Sequence, residues 1–409
     1  AFSGLSRDIP ADFAERLRTA TFTAFRRLLD LCERESPDFL LLAGDVYNQE
    51  DASVSAQLAL RDGFRRLESL SIPVFLVHGN HDPLASRLRS VRWPGNVTVF
   101  GELPDAVPVF RKGEGTPLAI IHGASHASGR ETRNLAALFR RTEACGLHVG
   151  LLHATPGDAD GVARYAPFSQ EDLKASGMDY WALGHIHDRR EVCREPLAAY
   201  PGCTQGLHIN EPGEKGCLLV TAEARPDGGY AVRTSFRPLG PAVWKTLDME
   251  LGGAASLDEL ENRLRTGLDR AAAEVWSGCE MLLVRLRLQG RTELDGLLRK
   301  GTTCAELADR LREDGSGVPR IWIKDIDVAT RPCVERGALL EREDLLGEVF
   351  RLSEAARTAS GLQALREGPL APLFAHARAG KALEPLTDEE LARLLDDAES
   401  LCLDLLEND

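Results

Sequence analysis

The sequence predicts a layered α/β protein followed by a small α+β unit and a helical C-terminal segment. Three observations predict it. Residues 1–240 alternate short apolar runs with helical patterns, residues 241–340 follow a β-α-β-α-β order, and residues 341–409 read as helical. Short apolar runs that stop at a turn residue read as buried strands of a parallel sheet. Such sheets bind ligands just beyond the carboxyl ends of their strands.

A first helix is predicted over 12–35, where Phe13, Leu17, Phe22, Phe25, Leu28 and Leu29 recur at helical spacing before Ser36-Pro37. The strand Phe39-Leu40-Leu41-Leu42-Ala43 stops at Gly44-Asp45. A helix over about 52–70, opened by Asp51 or Ser53, leads to Val74-Phe75-Leu76-Val77, which stops at Gly79-Asn80-His81-Asp82. Further strands are expected at 118–122, 147–153, 179–184, 197–200, 217–222 and 230–236. The last two flank Pro226-Asp227-Gly228-Gly229, a hairpin turn.

Beyond residue 240, a strand over 243–250 precedes a helix over 257–275 with Ser256 as its cap. In 281–288, Leu282, Val284, Leu286 and Leu288 point one way and Arg285 and Arg287 the other. A helix over 303–313 and a strand over 321–328 complete this unit. Near the end, Thr387 and Glu390 form a capping box. Leu391, Leu394, Leu395, Ala398, Leu401, Cys402 and Leu405 then line one predicted helix face, with Arg393, Asp396, Asp397 and Asp404 opposite.

Composition narrows the function classes. No apolar run approaches the roughly 20 residues needed to span a bilayer, so no membrane role is expected. Nine scattered cysteines without a Cys-x-x-Cys pair argue against a disulfide framework or zinc cage and for reduced thiols in the cytoplasm. Of a net charge of −14, −9 falls on residues 341–409, and this acidity weakens a nucleic-acid reading without removing it. Bound divalent cations would reverse the local sign. No Gly-x-x-x-x-Gly-Lys-Ser/Thr loop indicates ATP binding, and no Gly-x-Ser-x-Gly elbow indicates a serine hydrolase.

Four apolar runs end in chemistry. They deliver Asp45, then Asn80-His81-Asp82, then His153, then Gly184-His185-Ile186-His187 to one rim. Each block alone is common, but their joint order suits divalent metals with oxygen and nitrogen ligands. A two-metal hydrolase holds its ions roughly 3.5–4 Å apart, one activating water while both stabilise phosphate oxygens. Two such close dications need an anionic bridge, for which Asp45 is the candidate, while neutral Asn80, His153, His185 and His187 complete the spheres. His81 is placed to face substrate as a cation or general acid, with Asp82 orienting it. His208 is a weaker candidate for substrate contact. Structural roles are expected for His78, His122, His126 and His148, His122 being the least secure of these because it closes an apolar run; His376 is expected in solvent.

These four blocks resemble the calcineurin-like metallophosphoesterase superfamily in order and spacing. Tyr200-Pro201-Gly202 and Gly213-Glu214-Lys215-Gly216 narrow the resemblance to the SbcD-type DNA repair exonucleases, especially their YhaO-like members. The resemblance covers residues 1 to about 240 well, 241–340 in general shape and the tail only loosely. It implies a metallophosphoesterase sandwich over 1–240, an α+β cap over 241–340 and a helical, partner-binding segment over 341–409. It also implies two divalent ions, usually manganese, with DNA ends as substrate and an SMC-like ATPase as partner; a homodimer is a separate expectation, and the sequence leaves the oligomeric state open. Asp45 would bridge, Asn80, His153 and His185 would hold one ion, His187 would help hold the other, and His81 would assist catalysis. The family begins with a strand ending in Asp-x-His that nothing here matches, and Ala1-Phe2-Ser3-Gly4-Leu5 resembles the stretch just C-terminal to that motif. The expectation is a natural segment upstream of Ala1, with full activity depending on it. Two other functions stay open: a phosphodiesterase or phosphatase acting on small molecules, and a weakly active interaction subunit of an SMC-like ATPase complex.

Overall fold

The computed structural model describes residues 9–47, 54–85, 91–157, 164–226, 228–313, 317–333, 336–375 and 386–406. Residues 1–5, Asp51, Ser53, Asp227 and His376 lie outside the described residues. The chain groups into two compact units. One runs through Glu250 and takes in Leu257–Gln289 and Leu298–Ala329; the other comprises Leu251–Ser256, Gly290–Leu297 and the chain from Thr330 onward.

Two facing sheets make the centre of the first unit. After helix α1 (Ala11–Glu35) come β1 (Leu40–Ala43), α2 (Val54–Ser69), β2 (Val74–Val77) and β3 (Val97–Val99), the strands pairing in parallel in the order β1-β2-β3. The second sheet holds β4 (Asp105–Val109), β5 (Ala119–Ala124), β6 (Leu147–His153), β7 (Tyr180–Gly184), β8 (Arg190–Arg194) and β9 (Leu197–Tyr200), with α3 (Gln170–Ala175) before β7. Its order is β4-β5-β6-β7-β9-β8, parallel in the middle and antiparallel at both edges.

Strand periodicity sorts the side chains into layers. On β1, Leu40 and Leu42 face the helices with Leu28, Leu60 and Phe64, whereas Leu41 and Ala43 face the second sheet. There they meet Phe75 and Val77 of β2 and Ile121, Val149, Leu151, Tyr180 and Ala182. The reverse side of the second sheet packs Leu152, Trp181 and Leu183 on Phe139 and Leu173. The result is an α/β/β/α sandwich, the predicted layered α/β class. Each fully buried Leu, Val or Phe contributes roughly 1.5–3 kcal/mol by leaving water.

A hairpin of β10 (Gly216–Ala224) and β11 (Tyr230–Pro238) comes next, as its turn residues predict. Then β12 (Ala242–Glu250), α4 (Leu257–Glu274), β13 (Met281–Thr292), the helix Thr303–Glu313 and β14 (Arg320–Pro332) give a sheet in the order β12-β13-β14. Here the structure departs from the one-sided strand expected at 281–288. Leu283 is buried along with Leu282 and Val284, because Phe13, Leu17 and Ala20 of α1 cover the other face beside Trp244, Met281 and Trp322.

The second unit is helical, with helices at Arg336–Leu340, Leu345–Ala356, Ala359–Glu367, Ala371–Ala375 and Asp388–Leu406. The last opens with the predicted capping box: Thr387 N–H donates to Glu390 Oε2 at 2.7 Å, and Glu390 N–H donates to Thr387 Oγ1 at 3.3 Å. Its buried face is rotated from the expected one. Leu391, Glu399 and Leu403 are buried, while Leu394, Leu401 and Leu405 are exposed. Leu403 packs with Leu339, Leu346 and Phe350, and Glu399 enters the same interface paired, Arg336 meeting both its oxygens (2.6 and 2.9 Å) and Arg357 adding a third contact at 3.2 Å. Among the described residues no helix is long and apolar enough to cross a membrane.

Candidate metal centre

The carboxyl ends of β1, β2, β6 and β7 meet at one place, and the local backbone is built for close approach. Asp45 (φ 51°) and His185 (φ 103°) both adopt left-handed conformations that non-glycine residues rarely take. Just before His185, a Cβ added to Gly184 would lie 1.8 Å from the Ala43 carbonyl oxygen, so β1 and β7 come this close only around glycine. Beneath them the buried Asp82 carboxylate accepts the amides of Asp45 (3.1 Å), Val46 (3.0 Å) and Gly79 (2.7 Å). This ties the loop after β1 to the loop after β2.

Above that tie, ligand atoms of Asp45, His153 and His185 lie within 4.8 Å of one another. His153 is buried at the end of β6, its Nδ1 2.8 Å from the Ala43 carbonyl oxygen and its Nε2 3.0 Å from Asn80 Oδ1 and 3.3 Å from Asp45 Oδ2. His185 Nδ1 stands 3.2 Å from the same Asn80 oxygen. Behind His153, His126 Nε2 contacts the His153 carbonyl oxygen at 2.6 Å. Burial drives the His126 imidazole down to about 4, so it is neutral near pH 7.

His187 belongs to a neighbouring group with Cys203 and Glu211. Its Nδ1 lies 2.5 Å from Glu211 Oε1, which also receives His208 Nε2 at 3.2 Å. That contact raises the His187 pKa against the lowering effect of burial. Burial pushes the Cys203 thiol up to about 12, so it is neutral here.

Among the residues singled out from sequence, Asp45, Asn80, His153 and His185 are therefore gathered, and His187 stands with Glu211. His81 is exposed, and its backbone amide donates to Asp45 Oδ1 at 2.9 Å. Asp82 differs from the expectation: its carboxylate holds backbone amides instead of orienting the His81 ring, because it is completely buried under both loops. The His208 ring is tied to Glu211. Glu211 itself was not foreseen, since a carboxylate in a loop carries no periodic signal. His78, His122 and His148 keep structural surroundings: His78 lies against Asp82, and His122 and His148 contact each other at 3.0 Å.

The donor set fits a divalent ion. The Ala43 carbonyl only accepts, so His153 carries its proton on Nδ1 and turns the Nε2 lone pair toward the Asp45 and Asn80 oxygens. Three acceptors facing one another make a place that a cation between them would satisfy. Asp45, Asn80, His153 and His185 supply the oxygen and nitrogen atoms that such ions take. A Cβ added to Gly79 would lie 2.3 Å from Asp45 Oδ1 and 2.7 Å from His153 Nδ1, so glycine leaves the room this cluster uses.

Fold and cluster together define a metal-dependent phosphoesterase, and comparison with known families agrees. Residues 17–189 match the model of the calcineurin-like phosphoesterases, and residues 244–331 match that of the middle domain of the metallophosphoesterase YhaO. The chain is 33% identical over 378 residues to the uncharacterized metallophosphoesterase YhaO of Bacillus subtilis, covering 90% of this chain and 88% of that protein. The chain belongs to the calcineurin-like metallophosphoesterases of the YhaO family. More distant relatives are named DNA double-strand break repair protein Mre11. That of Aeropyrum pernix is 26% identical, covering 64% of each chain, and that of Thermoplasma acidophilum is 27% identical, covering 46% of this chain and 51% of its own.

Proposed function

We propose that this chain is the nuclease subunit of a DNA repair machine, hydrolysing phosphodiester bonds at DNA ends with two manganese ions. The observation that carries this reading is the convergence of Asp45, Asn80, His153 and His185 at the ends of strands from two sheets. Similarity to proteins named for double-strand break repair supports DNA as the substrate. Asp45 would bridge the ions, Asn80, His153 and His185 would hold one, and His187 would hold the other. When bound, the ions would supply an activated water and neutralise phosphate charge. His81, exposed beside Asp45, protonates the leaving oxygen. We assign residues 241–340 to a cap that orients the duplex. The acidic segment 341–409, with Leu394, Leu401 and Leu405 exposed, is assigned to docking an SMC-like ATPase in a cytoplasmic, homodimeric complex.

Incubation with Mn²⁺ and linear duplex DNA tests the proposal, and shortening of the duplex is the expected result. Cleavage of a nitrophenyl phosphodiester with DNA untouched would instead favour a small substrate, which the net charge of −14 suits. Manganese uptake with neither substrate cleaved would leave the interaction-subunit reading.

A further inference from the structure

The geometry points to Glu211 as the residue that fixes the His187 ring for metal binding, an inference that rests on the two-metal reading above. His187 projects from the loop after β7 with its side chain half exposed, so burial alone does not fix its ring. Glu211 is its anchor. That carboxylate is 6% exposed and engaged from several sides: Oε1 takes His187 Nδ1 at 2.5 Å and His208 Nε2 at 3.2 Å, and Oε2 accepts the Leu207 amide at 2.7 Å.

The His187 backbone is held as firmly. Its carbonyl accepts from the Cys203 amide at 3.2 Å and from Lys215 Nζ at 3.3 Å, and the buried Lys215 also reaches Asp188 at 2.8 Å. Gly202 makes this approach possible, since an added Cβ would lie 2.7 Å from the His187 oxygen. A carboxylate accepts and does not donate, so the neutral His187 ring keeps its proton on Nδ1 and presents Nε2 as the ligand atom. Carboxylate–histidine pairs of this kind set ring orientation and raise ligand basicity at metal sites. Glu211 is thus a positioning residue for the ion that His187 holds. It has no part in holding the ion assigned to Asn80, His153 and His185.

Two measurements on the full chain test this. In the metal-free protein, at a pH where the ring is neutral, ¹⁵N-histidine NMR should find His187 as the Nδ1–H tautomer, with Glu211→Gln shifting it toward Nε2–H. In titrations with Mn²⁺ alone, Glu211→Gln should weaken one of two binding events about 10–100-fold and leave the other unchanged. An Nε2–H tautomer in the unsubstituted chain would overturn the inference, as would unchanged affinities for both ions in the variant. A chain that takes up no Mn²⁺ counts against the two-metal reading, and the tautomer then decides the Glu211–His187 pairing by itself.

Discussion

Asp82 Oδ1 accepts the backbone amide of Asp45 at 3.1 Å, joining two residues 37 positions apart through a carboxylate with no solvent exposure. The Val46 and Gly79 amides converge on the same group. Replacing it by alanine leaves three amides without their acceptor, and hydrogen bonds to a charged group are worth about 1.5–3 kcal/mol each. Asp82→Ala should therefore lose at least about 3 kcal/mol. Urea unfolding would read this as a lower midpoint at unchanged slope, and Mn²⁺ affinity should fall with it because the two loops no longer share an anchor.

Gly79 separates space from stability. A methyl group there meets Asp45 Oδ1 at 2.3 Å and His153 Cε1 at 2.7 Å, so those two side chains must part. The strand before it, Val74–Val77, is packed independently. Gly79→Ala should keep the circular dichroism spectrum of the parent while lowering Mn²⁺ affinity at least about tenfold. An ångström of misplacement costs roughly 100-fold in rate. Parental affinity in the variant would mean that the cluster tolerates a gap, contrary to the close approach described.

The features that made this site readable are also the features that build it. Strands β2, β6 and β7 are apolar because they are buried, β1 is apolar and partly buried, and each stops where the chain turns at the rim. Their terminal polar residues thus stand out against an apolar background. The edge strands β3, β4 and β8 lack that contrast. Asp105-Ala-Val-Pro-Val and Arg190-Glu-Val-Cys-Arg carry exposed charged residues, and β3 is only three residues long, so neither alternation nor a run marks them. Glu211 and Glu399 were illegible for another reason. A buried carboxylate is admissible only with partners, and those partners, His187 and the Arg336–Arg357 pair, come from distant parts of the chain. Hydropathy patterning assigns such residues to solvent.

His81 allows chemistry to be separated from assembly. Its exposed ring is distinct from its backbone amide, which alone bonds Asp45. His81→Ala retains that amide, so Mn²⁺ content should stay at the parental level. Hydrolysis should fall about 10²–10⁴-fold, the range expected when a positioned proton donor is removed. The check is single-turnover cleavage alongside elemental analysis of the same sample, and unaltered cleavage would remove His81 from the reaction.

The contact between His122 and His148 predicts an acid limit to stability. The two rings stack 5.2 Å apart on adjacent strands, with His122 Nε2 3.0 Å from His148 Nδ1 and His148 Nε2 against the Ala144 carbonyl at 2.9 Å. The carbonyl fixes the His148 proton on Nε2, so its Nδ1 accepts from His122 and the pair is satisfied when both rings are neutral. Burial first, then the charges of His148 and Arg141, drives His122 down to about 4 from an ordinary 6.5. In the unfolded chain the ring takes up a proton below 6.5, while the folded chain resists until about 4, so the unfolded state binds more protons across that window. Stability is then complete above pH 6.5 and declines as pH falls toward 4. His122→Gln keeps an amide donor for His148 and removes the titration. Urea midpoints measured from pH 7 to 4.5 should decline more steeply for the parent than for this variant, the difference amounting to roughly 1–3 kcal/mol at the acid end. Parallel declines would place the acid sensitivity elsewhere, with His126 behind the metal ligands as the next group to replace.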